Sequence, residues 1–181
     1  INRLWFGEYF EYDLDPDYWM TEVSGLPFGL MGEMLQDGGH PYRGLLYGMT
    51  SRKYGDTDPR PVWALMNDFG IAESRMRGYW LEHAPVRTGH SRSLATAYAR
   101  DDAVLLALAS WSDEDYLVEL AVDWQSLGFG SGSDFGAQAG PLPELRAYTP
   151  AVAGLQEFAE VDLSALLIPA GMGLWVVVER Q

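Results

Sequence analysis

Two carboxylates, Glu8 and Glu33, fall at or just beyond the C-terminal ends of two strand-like apolar runs, Arg3 to Phe10 and Leu26 to Met34. Side chains of this type at that end of parallel strands suit general acid and base work, provided one of them keeps its proton near neutrality. Burial against Trp5 or Phe28 would favour the protonated form, because an apolar surround penalises the charge. Each Glu is equally suited to accepting a loop hydrogen bond or pairing with Arg43 or Arg52. Aromatic and polar candidates for a substrate cluster nearby: Trp5, Tyr9, Trp19 and Tyr42 offer rings, while His40 and Arg43 offer donors to a hydroxyl or carboxylate. Each ring is also an ordinary core residue with one polar handle.

The elements that must position these groups alternate in the first half of the chain. Arg3 to Phe10 reads as a strand, and Asp15 as N-cap with Pro16 at the first helical position predicts a helix over Asp17 to Ser24 that stops at Gly25. Leu26 to Met34 is apolar on both faces, as a buried parallel strand requires. Asp37 to Arg43 reads as a Gly/Pro loop, and Gly44 to Thr50 is apolar without a clear period. Asp58-Pro59 then opens a helix whose core face is Val62, Trp63, Met66 and Phe69, with Gly70 as its end. Arg77 to Glu82 looks like a strand, and the polar Pro85 to Ser93 is the candidate boundary. Short β-rich runs follow at Leu94 to Arg100, Ala103 to Ser112, Tyr116 to Trp124, Leu145 to Tyr148, Leu155 to Ala159 and Leu174 to Glu179. The fold expected is α/β followed by all-β: a partial (β/α) barrel segment over 1–83 and an antiparallel β-sandwich over 84–181.

Composition narrows the partners. The 181 residues carry 12 Lys+Arg against 26 Asp+Glu, a net charge of −14, with Lys53 the single lysine. No basic stripe exists to neutralise a phosphate backbone, so nucleic acid is not expected as a partner, nor is an anionic membrane. No apolar run approaches the roughly 20 residues of a membrane span. The chain has no cysteine, which removes thiolate chemistry and leaves the compartment open. Asp13, Asp15 and Asp17 have the alternation of a calcium loop, but Tyr18 stands where Gly is needed and no Glu occupies the twelfth position, so no metal site is assigned. No Walker loop, dinucleotide fingerprint, zinc motif or nucleophile elbow occurs, and no cofactor is expected.

The stretch LWFGEYFEYDLDPDYWMTEVSGLPFGLMGEMLQDGGHPYRGLLYGMT, Leu4 to Thr50, resembles the late barrel segment of proteins similar to glycoside hydrolase family 123. Its most specific parts are PDYW, SGLPFGLMGEML and GLLYGMT. The similarity continues through GYW at Gly78 to Trp80, ALASW at Ala107 to Trp111 and VDWQSLG at Val122 to Gly128, and covers most of the chain. It implies a barrel followed by a C-terminal β-sandwich, a chain starting near the seventh barrel strand, and a carbohydrate substrate. Ile1 in place of Met also suggests a processed or incomplete chain. Adjacent strands lie about 4.8 Å apart, and glycosidase carboxylate pairs about 5 to 9.5 Å, which Glu8 and Glu33 can meet. Enzymes of this family are associated with an adjacent Asp-Glu pair. Here the only such dipeptide is Asp113-Glu114, in a predicted hairpin turn, so those roles are not transferred. The expected function is part of a glycoside hydrolase, supplying pocket wall and accessory β domain and inactive alone. A noncatalytic carbohydrate-binding or interaction module is the alternative, and a β domain without ligand a third. Exposed barrel strands predict self-association or packing against the chain's own β domain.

Overall fold

The computed structural model describes residues 4–23, 32–129 and 144–181. Strands β1 (Leu4–Phe6), β2 (Gly32–Met34) and β3 (Met49–Thr50) form one parallel sheet in that order. Asp15 caps the first helix as its sequence demands: its Oδ1 accepts from the Asp17 N–H at 3.0 Å, and Pro16 occupies the first position. The helical turns cover the expected span from Pro16 to Val23 but change type within it. A single turn, α1 (Pro16–Tyr18), passes into a π-helical turn over Trp19–Val23, and the expected stop at Gly25 lies outside the described residues, as do Leu26 to Met31 of the second run.

Two segments differ from their sequence reading for identifiable reasons. The Gly/Pro loop ends early, because the His40 Nδ1 accepts the Arg43 N–H at 3.2 Å and Pro41 follows, which starts helix α2 (Pro41–Leu46) inside the expected loop. The strand expected over Arg77 to Glu82 is instead β4 (Arg75–Arg77). The chain leaves it at Gly78, where the Trp80 ring folds back so closely that a Cβ would sit 2.1 Å from it. Helix α3 (Arg60–Phe69) buries Val62, Leu65, Met66 and Phe69 and ends at the left-handed Gly70. Leu65 takes the place expected of Trp63, whose indole N–H instead donates to the Thr50 Oγ1 at 2.7 Å.

The later strands are β5 (Val86–Arg87), β6 (Ser93–Ala99), β7 (Ala103–Ser110), β8 (Tyr116–Val118), β9 (Ala121–Val122), β10 (Leu145–Thr149), β11 (Ala159–Glu160), β12 (Leu166–Ile168) and β13 (Gly173–Arg180). Five of them join β4 in one antiparallel sheet in the order β11-β10-β13-β7-β6-β4. Thus β4, from the part expected to be barrel, pairs with β6. The run Tyr116 to Trp124 is not one strand but two, β8 and β9, which pair with β12 and β5 respectively. Its expected alternation holds, with Val118 and Leu120 buried and Leu117, Glu119 and Ala121 exposed. Of Leu155 to Ala159 only Ala159 is in a strand, and β12 had no sequence signal. Asp113 and Glu114 do not turn a hairpin: they are exposed links between β7 and β8, which do not pair with each other.

The large sheet separates two cores. Leu105, Ala107 and Ala109 of β7 and Trp175 and Val177 of β13 meet α2, α3 and the aromatic residues Trp19 and Tyr47. The alternate residues Val104, Leu106, Leu108, Val176 and Val178 meet the β8/β12 and β5/β9 ribbons. Burial on both faces explains why β7 reads as an uninterrupted apolar run. The last carbonyls of α2 find donors in the sheet beneath: Tyr98 hydroxyl donates to the Leu45 oxygen at 2.5 Å and Thr96 to the Leu46 oxygen at 2.9 Å. The molecule is mostly sheet with few helices, and among the described residues the parallel strands do not close a barrel.

Gly173 marks the tightest contact between α2 and the sheet, since a Cβ there would lie 2.2 Å from the Leu108 carbonyl oxygen and 2.6 Å from Tyr42 Cβ. Neither neighbour is a flexible side-chain end. Gly173→Ala should therefore destabilise the fold by about 3 kcal/mol, measured by chemical denaturation, and wild-type stability would show that the two layers can separate without penalty.

Candidate functional site

The register of the parallel sheet places Trp5 beside Glu33 and Glu33 beside Thr50. Paired residues share a face, so these three form a row across the sheet. The flanking positions Met34 and Met49 point the other way and are fully buried, with Met34 against Gly39 and Gly44. One face therefore closes on the core, and the opposite one opens progressively from Thr50, buried where the Trp63 indole bonds to it, to Trp5, which is 70% exposed. Glu33 sits at the centre of that row, half-buried and already engaged in an interaction with the protein.

Past the C-terminal ends of the strands the chain supplies a polar rim. After β1 come Glu8 and Tyr9, both exposed, Tyr9 to 88% and at a left-handed φ of 64°. That conformation is unusual for a bulky residue. It is held by the Tyr9 N–H, which donates to Gln36 Oε1 at 2.8 Å, while Gln36 Nε2 donates to Asp37 Oδ2 at 3.2 Å. After β2 come Gln36 and Asp37, and after β3 come Ser51, Arg52 and Tyr54. Of these five the sequence points only to Arg52, as a possible partner of the glutamates, and no ion pair joins it to either among the described residues. For the others the only signal is position after a parallel strand, and β3 is a two-residue strand concealed directly behind a helix.

The remaining candidates lie within the protein. Trp19 is fully buried, stacked on Tyr47 at 5.4 Å and edge-on to Trp111 at 6.4 Å, and its indole N–H donates to the Tyr12 oxygen at 3.2 Å. Tyr42 stacks on Trp175 at 4.4 Å and its hydroxyl donates to the Leu155 oxygen at 2.6 Å. Arg43 is 3% exposed. Its Nε and Nη2 donate to the Ser110 oxygen at 3.1 and 2.9 Å, and its Nη1 donates to the Tyr12 oxygen at 2.6 Å and to Asp13 at 2.7 Å. Because Asp13 is almost fully exposed, that ion pair is screened by water, and the bonds to buried carbonyls dominate. The guanidinium also lies 4.8 Å from the Trp111 ring centre. The structure thus groups Trp5, Glu8, Tyr9 and Glu33 at the open sheet and its rim, and places Trp19, Tyr42 and Arg43 in the packing behind it.

His40 joins the two layers. Its Nδ1 accepts from α2, so the neutral ring carries its proton on Nε2, which donates to the Gly171 oxygen at 2.9 Å. Burial, and then the adjacent Arg43 guanidinium, pull its pKa from 6.5 down to about 4.

Comparison with family models gives two matches. Residues 1–54 match the TIM-barrel domain of glycoside hydrolase 123, and residues 58–179 match the C-terminal domain of glycoside hydrolase 123, the second alone spanning more than half of the chain. The chain belongs to glycoside hydrolase family 123. No curated protein and no solved structure gave a significant match. The resemblance in the Leu4 to Thr50 string is therefore one of membership. The interval between the two family 123 matches falls between β3 and α3, so the open parallel sheet and its rim lie within the TIM-barrel match.

His40 yields a pH prediction. The unfolded chain protonates this imidazole more readily than the folded one, so its contribution to stability is complete above pH about 6.5 and is lost as pH falls toward about 4. His40→Asn keeps an N-cap acceptor and removes the titration. Denaturation midpoints measured between pH 7 and 4 should fall less steeply for the variant, and parallel slopes would refute the assignment.

Proposed function

We propose that the open face of the parallel sheet is one wall of a carbohydrate pocket in a glycoside hydrolase. The observation that carries this reading is the row Trp5–Glu33–Thr50 on the face opposite Met34 and Met49, exposed at Trp5, half-buried at Glu33 and closed at Thr50, with Glu8 and Tyr9 exposed past the C-terminal ends of the strands. That is the end at which (β/α) barrels assemble their chemistry. In this reading the three strands are late staves of a barrel, and the large sheet, β4 included, forms with its ribbons an accessory β-sandwich, so the two units divide before β4 instead of near residue 83. The rings of Trp5 and Tyr9 meet the CH-rich face of a sugar, and Glu8 and Glu33 contact its hydroxyls or act as acid and base at the glycosidic bond. His40, Tyr42, Arg43 and Trp19 serve the site through the loops they hold. Three strands subtend too small an arc to enclose a substrate, so the chain alone binds without turning over. No cofactor enters the scheme.

A noncatalytic carbohydrate-binding role is the second reading, and the strong exposure of Trp5 and Tyr9 favours it. Titrating the chain with neutral oligosaccharides should quench tryptophan fluorescence, and Trp5→Ala should abolish the quench. Silence across hexosamine, galactose and glucose oligomers would remove both readings. In a family member with a whole barrel, Gln in place of the glutamates matching Glu8 and Glu33 should lower turnover by about a hundredfold or more. Unchanged turnover there, with binding retained here, decides for the noncatalytic role of these residues.

A further inference from the structure

Beyond Thr50 the chain continues as Ser51, Arg52, Lys53 and Tyr54, so Arg52 lies just past the C-terminal end of β3, next to the chain's single lysine. Acidic residues outnumber basic ones by 26 to 12. Of the ten arginines among the described residues, Arg43, Arg60, Arg75, Arg100 and Arg146 pair with a carboxylate, while Arg92 and Arg180 donate to backbone oxygens and Arg77 and Arg87 are exposed to water. Arg52 is half-buried, yet among the described residues it makes neither an ion pair nor a hydrogen bond, and its Nε is buried without a partner. Its guanidinium is instead held over the Tyr54 ring, 5.1 Å from the centre.

The groups around it fit the same chemistry. Tyr12 lies within the field of Arg52 and of Asp37, and burial pushes its phenol up to about 12, so it remains a hydroxyl. Asp37 accepts from the Gln36 amide and Asp58 pairs with Arg60, and neither is ion-paired with Arg52. Lys53 Nζ is turned back to the Gly55 oxygen at 2.8 Å. A guanidinium partly withdrawn from water and denied a protein anion is stabilised most by an anion brought to it, and its planar fork suits a carboxylate or a sulfate.

We infer that this site selects glycans carrying an anionic substituent, a carboxylate or a sulfate ester, which Arg52 binds at the rim of the sheet. The inference rests on the carbohydrate reading above and adds the substrate class. A neutral sugar leaves Arg52 with hydroxyl partners only, whereas an acidic one supplies a charge-assisted pair from its Nη nitrogens.

The test uses the chain itself and three disaccharides of one hexosamine: neutral, 6-O-sulfated and uronic-acid-linked, titrated by calorimetry at low and high salt. The anionic forms should bind about tenfold more tightly at low salt, with the advantage shrinking as salt is added. Arg52→Gln should bring their affinity down to that of the neutral form in the wild type, and Arg52→Lys should retain part of the gain. A gain for one anion alone identifies whether sulfate or carboxylate is read. Equal affinity for neutral and anionic forms overturns the inference, as does a preference that survives Arg52→Gln. Neutral binding without preference removes this inference and leaves the pocket wall standing, whereas no binding by any of the three removes both.

Discussion

The arrangement of the site depends on one buried cation. Arg43 bonds simultaneously to the end of β7, through the Ser110 oxygen, and to the loop behind Glu8 and Tyr9, through the Tyr12 oxygen. Withdrawing a guanidinium from water is costly, and it is tolerated because carbonyl oxygens, one carboxylate and the Trp111 ring surround it. Trp111 and Trp19 extend the same grip by donating indole N–H groups to the Leu14 and Tyr12 oxygens. Three side chains from three elements therefore fix one loop. The antiparallel sheet acts as the reference against which the rim of the parallel sheet is set.

This division accounts for what was legible in the sequence. The Asp15-Pro16 start, the Gly70 stop, the parallel relation of the first two strands and the long β6, β7 and β13 all follow from local chemistry or apolar pattern, and each is present. What escaped depends on contacts distant in the chain. His40 is an uncommon N-cap, and it caps α2 while Nε2 is anchored to Gly171, 131 residues away. The strand expected at Gly78 to Glu82 dissolves because Trp80 folds over Gly78, and β12 is defined by its pairing with β8 more than by its own three residues. Glu8, Glu33, Trp5 and Tyr9 could be placed because strand ends are visible in a sequence. Whether a Tyr, Trp or Arg faces solvent or core is not, and Tyr42, Arg43 and Trp19 turned inward.

The open row and the rim complement one another electrostatically. Glu8, Glu33 and Asp37 give this end of the sheet the sign of the whole chain, and Arg52 with Lys53 interrupts it at β3. Opposite charges a few residues apart on neighbouring strand ends create a directional field that a uniformly acidic surface lacks, and a bound ligand with charge at one end would be oriented by it.

Helix α2 belongs to the stretch matched by the barrel domain, yet Tyr42, Leu45 and Leu46 fill the face of a sheet built almost entirely from the stretch matched by the other domain. The two modules are therefore not interchangeable parts. A recombination event that exchanged one of them at the junction would strip an apolar sheet of its cover, so the pair must be inherited together or be repaired together, and variation in α2 should track variation in β6, β7 and β13 across descendants.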